Sequence, residues 1–166
     1  MTYVRPARLA DAQAMARVYN EGVEERQATL ETQRCSGADF AERIGRAGRG
    51  PTIVAEDDGQ VVGWAAVGEY NPRECYWGVG EATLYVERAA RRRGIGRRLL
   101  EELAAGAEQA GYWKLIGRLF SENEPSRALL RSCGFREVGV HRRHGRLDGE
   151  WRDVLVVEPL LGDAAG

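Results

Sequence analysis

The run Thr83-Leu-Tyr-Val-Glu-Arg-Ala-Ala-Arg-Arg-Arg-Gly-Ile-Gly-Arg-Arg-Leu-Leu100 constrains this chain more than any other. Thr83 to Val86 is β-rich and predicts a strand. Arg91 to Gly96 is a basic turn punctuated by glycine. Leu99, Leu100, Leu103, Ala104 and Ala107 then recur at helical spacing. Strand, basic turn and helix together make a holder for phosphate. The first N–H groups of a helix lack partners within it and carry partial positive charge. Gly94 and Gly96 have no Cβ, so a ligand can approach the backbone. Arg91, Arg92, Arg93, Arg97 and Arg98 attract anions over a longer range. The stretch therefore reads as a pyrophosphate cradle. Taken alone, these residues leave a solvated arginine loop and a nucleic-acid contact open as well.

Two other phosphate patterns are excluded. A Gly-x-x-x-x-Gly-Lys-Ser/Thr loop needs a lysine after its glycine, and the only lysine is Lys114. A Gly-x-Gly-x-x-Gly turn needs glycine three residues after Gly96, where Leu99 stands. Net charge bears on the rest. It is −1, from 24 basic and 25 acidic residues, whereas general nucleic-acid binders are basic overall and interleave aromatics. The positive charge is local, which suits a small anion, and no nucleic-acid partner is expected. At 166 residues, 43% hydrophobic and 30% charged, the chain predicts one soluble globular domain with room for a core. No apolar run nears the ~18 residues of a membrane span, so no membrane partner is expected. No signal-peptide pattern opens the chain, and a reducing cytoplasm is the expected location. Cys35, Cys75 and Cys133 are odd in number and lack metal-ligand spacing, so neither a disulfide framework nor a metal site is expected.

The other segments build a frame around the cradle. Tyr3-Val4 reads as a short first strand. Asp11 is placed to cap a helix with Ala14, Met15 and Val18 inward. Tyr19 to Gly22 either continues that helix or leaves it. Asp39 to about Arg46 predicts a short helix with Phe40 and Ile44 inward. Pro51 to Glu56 and Gln60 to Val67 form a hairpin about Asp57-Asp-Gly59. Gly80 to Val86 is the central strand, and the helix after the basic turn ends near Gly111. Trp113 to Phe120 is a near-continuous apolar run, which predicts burial on both faces, as in a parallel pair. Asn123 to Cys133 reads as a helix with Leu129 and Leu130 inward. Phe135 to Val140 and Trp151 to Val157 are two last strands around a polar loop. Early hairpins followed by βαβ connections predict an α/β domain, a mixed sheet with helices on both faces.

Arg91-x-x-Gly94-x-Gly96 at a strand-to-helix junction resembles the acetyl-CoA signature of the GNAT superfamily of N-acetyltransferases. Asn123-x-x-Ser126-x-x-Leu129 with Gly134-Phe135 is similar to that superfamily's second half. Glu81-Ala-Thr-Leu-Tyr-Val86 and Trp151-Arg-Asp-Val154 resemble its phosphinothricin and arsinothricin N-acetyltransferase branch, and the likeness runs from about Val4 to Leu160. The resemblance implies a mostly antiparallel sheet splayed by one parallel pair, with acetyl-CoA in the wedge. It implies cofactor contacts from the strand Leu84, Tyr85 and Val86, from the turn Arg91, Arg92, Arg93, Gly94, Ile95, Gly96 and Arg97, and from Asn123 and Ser126. It also implies a homodimer.

Acetyl transfer to an amine needs a base for the ammonium proton, donors for the thioester oxygen and a way for the thiolate to leave. Glu81 heads an otherwise apolar strand. It is either a solvated residue or a base whose position in a cleft makes it a better proton acceptor; the resemblance assigns it the second role. Glu87 and Glu69 are weaker alternatives. Backbone N–H groups of Leu84 to Val86 could stabilise the oxygen. Many family members carry a tyrosine that protonates the thiolate, and Leu130 stands at that place, so water or another group must serve. Thr29, Leu30 and Glu31 match the branch's early substrate loop, with Leu30 where an aromatic is frequent. Arg73 and Tyr76 are candidates for a substrate carboxylate, because arginine binds that group in two-pronged fashion. Lys114 and Arg118 lie near the cleft without an assigned role, and His141 and His144 are read as solvated.

The expected activity is N-acetylation of the α-amine of a small amino acid or analogue. Three alternatives differ from it in kind: a protein N-terminal or lysine acetyltransferase, a non-catalytic acyl-CoA sensor, and a nucleic-acid binder. A small substrate needs a closed pocket, and Ala28 to Thr32 with the last hairpin are the segments able to close it.

Overall fold

The computed structural model describes residues 1–166. Strands β1 Thr2–Pro6, β2 Thr52–Asp57, β3 Gln60–Glu69, β4 Val79–Val86, β5 Lys114–Phe120, β6 Arg136–Leu147 and β7 Glu150–Glu158 lie side by side. Their order across the sheet is β1-β2-β3-β4-β5-β7-β6, and only β4 and β5 are parallel. Helices α1 Ala12–Glu25 and α2 Gly37–Gly45 cover one face. Helices α3 Ile95–Gln109 and α4 Glu124–Ser132 cover the other.

Alternation along the strands divides the core between these layers. Met15, Val18, Tyr19 and Phe40 of the first helices meet Val54, Val61 and Trp64. Ile95, Leu99, Leu103 and Ala107 of α3 meet Ile53, Ala55, Val62 and Ala65 on the opposite side. A third cluster, Leu100, Leu119, Phe135, Leu155 and Val157, seats α4. The apolar end Val154, Leu155 and Val157 is thus consumed within the chain, which leaves Leu160 exposed there.

Three sequence expectations are revised and one left open is settled. Asp11 does not cap α1 by a side-chain bond. Its carboxylate instead accepts the Arg8 N–H at 2.7 Å and two bonds from the Arg5 guanidinium, which pull it back toward β1. Helix α1 continues through Tyr19–Gly22 to Glu25, because Asn20 is satisfied inside it by the Cys35 backbone at 2.7 and 2.8 Å. Strand β5 is not buried on both faces: Arg118 is exposed, since β4 leaves its side there. The expected polar loop after Val140 is strand. Paired with β7 along one edge and open to solvent, β6 runs to Leu147 with a bulge between His141 and Gly145. The tight turn at Asp148-Gly149, both with positive φ, closes that hairpin.

Candidate active site

The parallel ladder is short. β4 and β5 pair only at Val79↔Lys114, Gly80↔Leu115 and Glu81↔Ile116, while β3 follows β4 to Val86 and β7 follows β5 from Gly117 to Phe120. Beyond Glu81 the two strands part. Backbone parity shows what the gap exposes. Glu87 N–H donates to Val62 on the β3 side, and the Gly78 carbonyl accepts from Trp113 and Lys114 on the β5 side. Groups alternate along a strand, so the Leu84 and Val86 N–H face the gap and the Tyr85 N–H faces β3. Of the three residues expected to supply backbone donors, two turn their N–H toward the gap.

A cleft of about 570 Å³ occupies the gap. Beyond Val86, at one end of the gap and outside the lining of this cleft, stands the basic turn. Gly94 holds φ +78°, a left-handed conformation natural to glycine, and begins α3. The N–H groups of Arg92 to Arg97 bond no protein acceptor. Arg98 N–H is the first to be taken, by the Gly94 carbonyl at 3.1 Å. Six successive donors at a helix start therefore form a nest for an anion. The arginine side chains divide differently from the expectation. Arg91 grips both Glu25 oxygens at 2.8 Å and the Val86 carbonyl at 3.0 Å. Arg93 pairs with Asp57 at 2.7 Å, and Arg97 reaches Ser132 O and Glu101. They shape the turn and lend it field, while Arg92 has no protein partner. A Cβ at Gly96 would meet the tip of Leu129 at 2.9 Å, on the side where Leu84 also lies. These features fit the pyrophosphate and pantetheine of acetyl-CoA: a donor nest, a glycine that keeps the approach open and an unpaired strand edge leading inward.

At the other end lies Glu81, half-buried, with Arg118 Nη1 2.5 Å from its Oε1. The ion pair is the feature the sequence did not show. Sequence reasoning left Arg118 unassigned; its signal was a charge inside an apolar strand. Thr29, Leu30 and Glu31 line the same cleft, with Glu31 N–H on Thr29 Oγ1 at 3.1 Å. Their loop is fastened from three sides. Asn123 donates to Gln27 O at 3.3 Å, Arg26 pairs with Asp148 at 3.0 Å, and Leu30 sits where a Cβ on Gly145 would be 2.5 Å from its methyl. Asn123 also caps α4 through Ser126 N–H at 3.3 Å. Ser126, Leu130 and His144 line the cleft too, and His144 stacks on His141 at 4.5 Å. Tyr85 packs on Trp64 and Tyr19, and burial pushes its phenol up to about 12, so it keeps its proton across the working range.

Arg73 and Tyr76 are not in this cleft. They line an adjoining hollow of about 740 Å³ between β3, α2 and the loop before β4, and Thr83 borders both spaces. Arg43 of α2 lies there beside Phe40 and Tyr19.

A sheet opened by a three-rung parallel ladder, with a donor nest at the head of the gap, defines an acyl-CoA-dependent transferase. The chain belongs to the acetyltransferase (GNAT) family, whose model matches residues 14–135, and it is an acetyl-CoA-dependent N-acetyltransferase. It is 30% identical over 161 residues to the L-methionine sulfoximine/L-methionine sulfone acetyltransferase of Pseudomonas aeruginosa, covering 93% of this chain and 92% of that one. The crystal structure of a phosphinothricin acetyltransferase from Sinorhizobium meliloti, solved with acetyl-CoA, superposes with a TM-score of 0.92 at 31% identity, over 98% of this chain and 89% of that one. The ribosomal-protein-alanine N-acetyltransferase of Brucella melitensis does so with a TM-score of 0.92 at 35% identity, over 96% and 99%. No helix is long and apolar enough to cross a membrane.

Proposed function

We propose that this enzyme acetylates the α-amine of a small amino acid or amino-acid analogue, with Glu81 as general base. The observation that carries the reading is the fastened loop: Gln27, Leu30 and Arg26 tie the α1–α2 connection to α4 and the last hairpin above Glu81. The cleft bordered by that loop, about 570 Å³, is the size of a small-molecule site. Relatives named for phosphinothricin and methionine sulfone chemistry support the same class. Acetyl-CoA supplies an activated acetyl group. Glu81 accepts the proton of the substrate ammonium, and the Leu84 and Val86 N–H donate to the thioester oxygen as charge gathers there. With Leu130 in place of a tyrosine, water protonates the departing thiolate. Arg73 and Tyr76, across Thr83, suit a distal acidic group of the substrate.

Exposed Val138, Val140 and Trp151 on the outer hairpin support a homodimer. The likeness to a ribosomal-protein-alanine acetyltransferase favours a second reading, a peptide beginning with alanine. A thiol-release assay with acetyl-CoA separates them. Turnover is expected with phosphinothricin, arsinothricin, methionine sulfone or methionine sulfoximine; turnover with alanine-terminated peptides alone would favour the second reading.

A further inference from the structure

The cleft is poor in cations. Arg118 is the only lysine or arginine lining it, and it shares the space with two carboxylates, Glu31 and Glu81. Its place follows from the sheet: it lies two residues past Ile116, the last residue of β5 in register with β4. One contact holds it, the 2.5 Å pair with Glu81. The two side chains are 38% and 39% exposed, and a pair so exposed is weakly held. A guanidinium has five N–H donors in a planar fork and takes a carboxylate by two parallel bonds. The contact with Glu81 leaves most of that fork unused.

We propose that Arg118 is the receptor for the substrate's α-carboxylate and that this carboxylate displaces Glu81 from it. The inference rests on the amino-acid reading above. A zwitterionic amino acid carries its carboxylate and ammonium on one carbon. With the carboxylate on Arg118, the ammonium lies against Glu81 and Glu31, so charges of both signs are matched. The exchange also governs the base. In the free cleft the Arg118 guanidinium occupies a Glu81 oxygen that an ammonium proton would need. A substrate bearing a carboxylate releases that oxygen as it binds. An amine without one leaves the pair intact and the base engaged. Preference for amino acids then resides in the availability of Glu81 as well as in affinity.

The test compares methionine sulfone with its carboxamide at saturating acetyl-CoA. Wild-type kcat/KM should favour the acid by roughly 10–100-fold, the range for charge-assisted hydrogen bonds. Arg118→Ala should erase that preference, by loss on the acid and a gain on the amide as Glu81 is released, and Arg118→Lys should restore part of it. Calorimetric affinity for CoA, unchanged in both variants, certifies the fold. A preference that survives Arg118→Ala overturns the proposal, as does an equal loss on acid and amide, which would make Arg118 only a positioning residue for Glu81. A wild type that acetylates amino acids without distinguishing acid from amide sinks the Arg118 role and spares the amino-acid reading. A wild type that acetylates no amino acid sinks both.

Discussion

At the scale of the residue, the proposed chemistry rests on Glu81. Its side chain lines the cleft at the last rung of the parallel ladder, three residues before Leu84 on the same strand. Glutamine preserves its shape and hydrogen bonding but takes no proton. Glu81→Gln is therefore expected to lower kcat by roughly 10²–10⁴-fold, the usual share of general base catalysis, with KM for acetyl-CoA little changed. Steady-state kinetics at neutral pH would check it; a variant retaining most of its kcat would remove Glu81 from the base role. The position of Glu81 was legible because a carboxylate interrupts an apolar strand. Its partner was not. Whether Arg118 reaches Glu81 depends on the register Glu81↔Ile116 across two strands 33 residues of chain apart (Glu81 to Lys114), and pairing of that kind leaves no local pattern. The partner of Arg91 was hidden for a related reason: Glu25, brought there by the length of α1, accepts both its prongs.

Among the elements, the basic turn is the one on which the proposed cosubstrate cradle rests. Gly96→Glu places a carboxylate among six free N–H groups, and its Cβ meets only the flexible tip of Leu129. Calorimetry with CoA should find no measurable binding, while the thermal midpoint stays near that of wild type; retained affinity would contradict the cradle. The turn is anchored to α1 by Glu25, whose carboxyl is held below its ordinary value of 4.5, chiefly by the Arg91 hydrogen bonds. A carboxyl lowered in the folded state adds stability that is whole above 4.5 and is lost as pH falls through the folded value. Glu25→Gln should cost about 1 kcal/mol or less at pH 7, because Arg91 is exposed, and nothing once pH is well below that value. Urea midpoints at pH 7 and pH 3 would read the difference; an equal deficit at both would assign Glu25 a packing role. Among the elements, α3 was the most legible, since Leu99, Leu103 and Ala107 repeat at helical spacing and are buried accordingly. The middle of β6 was the least. His141 to Arg146 is polar on both faces because solvent meets both, and an edge strand held by ladder bonds needs no apolar alternation.

For the whole molecule, the fold class was legible from the order of hairpins and crossovers, and the family from the spacing of its glycines. Assembly was less so. The apolar residues Val154, Leu155 and Val157 near the C-terminus are core, while Val138, Val140 and Trp151 are exposed on β6 and at the start of β7. Light scattering at micromolar concentration should give twice the 18.4 kDa chain mass, and charge at Val138 or Val140 should halve it. A monomer in the unmodified chain would count against that interface. The short ladder between β4 and β5 has a mechanical side. Three rungs are the main backbone seam between a block made of β1–β4 with α1, α2 and α3 and a block made of β5–β7 with α4. A molecule lodged in that seam touches both blocks and acts as a wedge-shaped keystone, lending each some of the other's rigidity. Since it binds the joined form only, its free energy adds to the resistance of the seam against opening. CoA and acetyl-CoA alike should therefore raise the thermal midpoint of the enzyme, and the unliganded chain is the one held together most loosely.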